Sequence, residues 1–86
     1  MPSVLAISAR SSTGQAADVL HERALLVLAA ATAFGLDAER SSALELTIAR
    51  AAQKPDPAAR LGATRAVLRD AERALDEARE GDAAAP

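Results

Sequence analysis

Residues 24–36 read ALLVLAAATAFGL, thirteen positions without a charge between Arg23 and Asp37. A membrane span, a buried core helix or a subunit interface would each account for so much apolar surface in one place. A span takes about 20 consecutive apolar residues, and Asp18, Glu22, Arg23 and Asp37 bracket this run closely. The run is too short to cross a bilayer. It is instead the C-terminal half of a helix whose apolar side chains another helix, or another chain, must cover.

The rest of the composition supports a helical reading. The chain has 86 residues, half of them apolar, and 24 of those are alanine. Alanine is the best helix former and contributes little burial energy. Phe34 is the single aromatic residue, and the β-branched vocabulary of strands is sparse. The expected fold class is all-α, and the length allows one domain with a marginal core.

Local punctuation divides the chain into three helices. Ser12-x-x-Gln15 has the spacing of a capping box, which places the start of helix 1 at residues 12–13 and leaves residues 1–11 as a short arm. Gly35 suits the left-handed position after a helix end, giving helix 1 the range 12–35. Asp37 is a cap for helix 2 (37–54), with Glu39 in its first turn. Pro55 ends that helix. Asp56 caps helix 3 (56–80), and Pro57 occupies its first position, where a missing N–H is harmless. Gly81 stops helix 3, leaving 81–86 as a frayed tail. Two short connections make consecutive helices antiparallel, so the expected architecture is a small three-helix bundle.

Helix 3 carries the clearest seam: Leu61, Thr64, Leu68, Ala71, Leu75 and Ala78 follow 3-4 spacing. Outside it lie arginines and carboxylates at three- and four-residue spacing, a pattern that suits a solvated face. Helix 2 shows a narrower stripe of Ser41, Leu44, Ile48 and Ala51, with Leu46 pointing away. Helix 1 carries Leu20, Val27 and Phe34 seven apart, beside Ala17, Ala24 and Ala31, so this side is expected to face helices 2 and 3. Leu25 and Leu28 fall on another side. Helices 2 and 3 hold few large residues, and two neighbours leave part of helix 1 bare. Exposing two or three such side chains forfeits about 1.5–3 kcal/mol each, against roughly 5 kcal/mol for a whole chain of this size. Helix 1 is therefore expected to self-associate or to dock on a larger protein, through Arg23, Leu25, Leu26, Leu28, Ala29 and Thr32. The competing arrangement folds the arm, with Val4, Leu5 and Ile7, back over that side.

Few residues suggest chemistry. There is no cysteine and a single histidine, His21, so thiolate and multi-histidine metal sites do not arise within one chain. HERAL (21–25) lacks the second histidine of a zinc-protease helix. His21 reads as a solvated side chain on the polar flank of helix 1, although Asp18, Glu22 or Ser41 could approach it. The four glycines stand alone and form no phosphate-binding loop. No cofactor or enzymatic activity is expected. Arg23 falls among Val19, Leu20, Val27 and Phe34; its stem can pack while its guanidinium reaches water, or it can pair with an acid such as Glu45 to set register.

The formal net charge of −2 argues against nucleic acid or an anionic membrane as the main partner. A basic n-region is missing from MPSVLAISAR (1–10), so the expected location is the cytoplasm. Nine arginines against one lysine, with so much alanine, suggest a GC-rich bacterial genome.

Residues 10–23, RSSTGQAADVLHER, resemble the opening of the ANTAR RNA-binding domain, a small three-helix module of bacterial antitermination regulators. Arg10, Gly14, Gln15, Ala16, Val19, Leu20, Glu22 and Arg23 carry the resemblance. It implies an RNA-binding regulator as the alternative to a protein-interaction module, and a helix-turn-helix built from helices 2 and 3 is a second form of that alternative. The resemblance stops at ALLVLAAATA (24–33), which stands where the family turns into its second helix, and the aromatic usual in that helix is missing.

Overall fold

The computed structural model describes the backbone of residues 2–84 and the side chains of residues 12–82. Three helices, α1 (Pro2–Ala33), α2 (Ala38–Ala52) and α3 (Pro57–Ala84), form an up-down-up bundle with no strand among the described residues. The chain is an elongated rod of 63 × 19 × 14 Å. Helix α1 runs parallel to α3 and packs most extensively against it, while α2 lies antiparallel to both.

The ends expected from local chemistry mostly form. The Asp37 carboxylate accepts hydrogen bonds from the Glu39 and Arg40 amides at 3.2 and 3.3 Å. Asp56 Oδ2 accepts from the Ala59 amide at 2.9 Å. Gly35 has φ 103°, and the Leu36 amide donates to the Ala31 carbonyl at 2.9 Å, the closure of a left-handed helix end. At the other end, the Arg60 Nη1 donates to the Lys54 carbonyl at 2.9 Å and ties down the α2–α3 turn.

Two boundaries differ from the sequence expectation. Residues 2–11 do not form a separate arm: they are helical and continuous with α1. Pro2 suits a first helical position, and no glycine or proline interrupts the next ten residues. Once a helix is nucleated, each added residue gains a hydrogen bond without a new nucleation cost. An internal Ser12-x-x-Gln15 is therefore carried through rather than used as a start. Met1 lies outside the described residues, as do the side chains of Val4, Leu5 and Ile7. At the other end α3 passes through Gly81 to Ala84, since glycine costs about 1 kcal/mol inside a helix and Ala83 and Ala84 continue it. Ala85 and Pro86, the rest of the expected tail, lie outside the described residues.

The core is thin. Ala17, Ala24 and Ala31 of α1 and Ala71 and Ala74 of α3 are buried, with Thr64, Val67 and Leu68 of α3 and Ile48 and Ala51 of α2. Leu20, Val27, Leu36, Leu44 and Ala63 pack around this cluster half-buried. The expected seams of α2 and α3 therefore face inward, and Val67 and Ala74 widen the α3 seam. In α1 the expected centre is displaced. Ala24 and Ala31 stand in the middle of the buried face, because two alanine-lined helices approach closely and their larger side chains are pushed to the flanks. Leu20 and Val27 flank the stripe on one side. Leu28, about 40° from Ala24 around the helix, flanks it on the other and is only 7% exposed. Leu28 thus belongs to the core and not to the outward side assigned to it from the sequence.

Candidate interaction surface

The six residues expected to form an interface do not share one face. Leu25, Leu28, Ala29 and Thr32 line a shallow groove of about 460 Å³ between α1 and α2, together with Ser41 and Glu45. Thr32 is already committed within the chain: its hydroxyl donates to the Leu28 carbonyl at 3.0 Å and lies 3.1 Å from the Ser41 hydroxyl. Leu25 sits at the rim of this groove and is partly exposed. Arg23 and Leu26 point elsewhere, since a single residue step turns the side chain by about 100°. Arg23 is exposed and makes no ion pair with Glu45, which belongs to the α1–α2 groove.

The larger open apolar surface lies on the outer side of α1, turned away from the buried alanine stripe. Leu26 is 71% exposed and Val19 is 63% exposed. Phe34, expected to face inward, is 43% exposed, because α1 ends at Ala33 and the ring stands beyond the last buried turn. It shares a groove with Asp76, Arg79, Glu80 and Asp82 of α3. Val19 and Leu26 stand seven residues apart, a spacing visible in the sequence; Leu26 is one of the six expected interface residues and Val19 is not.

The charges of α3 are sorted along its length. Between Pro57 and Arg69 there are three arginines, Arg60, Arg65 and Arg69, and no acid. From Asp70 to Asp82 there are six acids and two arginines. This order opposes the helix macrodipole, which favours acids at the start and bases at the end by about 0.3–1 kcal/mol for each charge in a terminal turn. The first turn of α3 holds no acid and its last turn no base. Arg65 and Arg69 stand one turn apart, as do Asp76 and Glu80, so like charges are neighbours within each row. Among the described residues the only ion pair within 4 Å is Arg40–Glu77, on the opposite side of α3, where α2 packs. That contact raises the Arg40 pKa and holds the Glu77 carboxyl below its ordinary range, chiefly through the hydrogen bond between them.

His21 differs from its expected solvated state. It is half-buried on the α2-facing flank of α1, and its Nδ1 is buried without a hydrogen-bond partner. Ser41 does not approach it, being paired with Thr32 near the opposite end of α2. Among the described residues no three metal-ligating side chains converge, and no helix is long and apolar enough to cross a membrane.

No protein-family model matches this chain, and no curated protein or solved structure matches it. The ANTAR resemblance of residues 10–23 rests on those fourteen residues alone.

Proposed function

We propose that the protein is a non-enzymatic helical interaction module that works by self-association, or as an accessory subunit on a larger cytoplasmic protein, through α1. The observation that carries this reading is the exposure of Leu26 and Val19 on a helix whose opposite face already fills the core. Leaving such side chains in water forfeits about 1.5–3 kcal/mol each. A module that covers them on assembly recovers that energy, and the alanine-rich core has little of its own to spare. The nucleic-acid alternative draws on the arginines of α3, but Asp76 and Glu80 on the same helix would face the same phosphates.

The test is the molar mass in solution, measured by light scattering on the wild-type chain and on Leu26→Asp. Association that Leu26→Asp abolishes, with helicity retained, supports the reading. A chain that has the mass of one copy in both forms, with unchanged stability, overturns association through this face.

A further inference from the structure

Building on the α1 reading, we infer that the partner is a second copy of the chain, packed antiparallel across the face formed by α1 and α3. The exposed apolar row of α1 and the charge order of α3 fit a single two-fold axis. Phe34 shares a groove with Asp76, Arg79, Glu80 and Asp82, so an α3 residue numbered between about 42 and 48 higher than an α1 residue stands at a similar height. A two-fold axis placed at Leu26 therefore crosses α3 in the turn around Glu72. That axis lays Leu26 against Leu26 of the second copy and Val19 beside its Ala33 and Phe34, closing the exposed apolar row on itself.

The same axis sorts the charges of α3. On this register Arg69 comes near Asp76 of the second copy, and Arg65 near its Glu80. Each pair occurs twice by symmetry, as an isologous interface requires. Within one chain these four residues have no ion-pair partner within 4 Å, and each stands one turn from a like charge. An antiparallel neighbour sets an opposite charge beside each of the four. A parallel neighbour would set Arg65 against Arg65 and Glu80 against Glu80, so the charge order selects the antiparallel arrangement. Asp76 and Glu80 line the groove with Phe34, and Arg65 and Arg69 lie within about 60° of them around α3, whereas Glu77 and Asp70 border α2.

Two charge-swapped chains test the inference. Arg65→Glu with Arg69→Glu makes the whole row acidic, and Asp76→Arg with Glu80→Arg makes it basic. Each variant alone is expected to have the mass of one chain at a concentration where wild type has the mass of two, and an equimolar mixture is expected to restore the mass of two. Variants that pair alone as well as wild type does, or a mixture that stays dissociated, overturn the arrangement. A dimer that survives both swaps but is dissolved by Leu26→Asp overturns this packing and leaves the α1 reading intact. A wild-type chain that is monomeric and indifferent to Leu26→Asp overturns both.

Orientation can be read without altering any charge, because the chain contains no cysteine. Under oxidised glutathione, Leu26→Cys is expected to cross-link to itself and Val19→Cys is not, while a mixture of Val19→Cys and Phe34→Cys cross-links. Self-linking of Val19→Cys comparable to that of Leu26→Cys overturns the antiparallel packing.

Discussion

Arg40 of α2 donates a hydrogen bond from its guanidinium to the Glu77 carboxylate of α3, and this contact joins the outer surfaces of two helices that are otherwise held by apolar packing. Its two partners stand 37 positions apart in sequence. The Glu77 carboxyl is held below its ordinary range, so it binds a proton more readily in the unfolded chain than in the folded one. The sign follows from linkage: the stabilisation is present above the unfolded carboxylate pKa of about 4.3 and is lost as pH falls through the lower folded value. Glu77→Gln should therefore lose a small amount of stability near neutral pH and show a shallower decline in acid. Thermal unfolding followed by circular dichroism between neutral and strongly acidic pH checks this. An identical acid slope in the variant would refute the linkage.

Ile48 is the large apolar side chain closest to complete burial, at 1% exposure. Ile48→Ala should cost about 2–5 kcal/mol. That approaches the whole stability expected of so small a chain. Urea titration at a fixed chain concentration should show a variant largely unfolded without denaturant, and a loss below about 1 kcal/mol would contradict the assigned core.

Thr64 is buried with a hydroxyl that finds no hydrogen-bond partner. Thr64→Val keeps the branched shape and removes the unsatisfied group. An unpaired buried polar group costs about 1–3 kcal/mol, so the substitution should stabilise the chain by about 1 kcal/mol, readable as a higher urea midpoint with an unchanged slope.

Two glycines should respond in opposite directions. A Cβ at Gly62 meets nothing within 4 Å, and the residue lies inside α3. Gly62→Ala should raise stability by about 1 kcal/mol. Gly35 also has open space around it, but its φ is 103°, and an L side chain there is strained. Gly35→Ala should lower stability by about 1 kcal/mol or more. Paired chemical denaturation curves give both signs in one experiment.

Features decided by two or three neighbouring residues were legible in the sequence. Asp37, Asp56 with Pro57, and Gly35 each act through their own backbone, and each does so in the structure. The start of α1 was not legible, because a capping pattern competes with continuation of an existing helix and only the energy of the whole segment decides. The orientation of α1 was misread for another reason. A helix that is apolar nearly all round offers no contrast between its faces, so its inward side is set by where α3 can approach most closely. Alanines, not the larger residues, mark that line. Placing it correctly moves Leu28 into the core and leaves Val19 in the open beside Leu26. The charge order of α3 was visible as composition, but its meaning depends on the height of each residue against α1, which only the packed structure supplies.

The alanine stripe has a calorimetric consequence. When Ala17, Ala24, Ala31, Ala71 and Ala74 leave the core, each exposes little more than a methyl group. The heat-capacity increment of unfolding scales with the apolar area newly hydrated. For this chain it should fall below the roughly 12–15 cal/mol/K per residue of ordinary globular domains. A small increment flattens the stability curve with temperature. The folded chain should therefore lose stability slowly on either side of its maximum and resist denaturation in the cold.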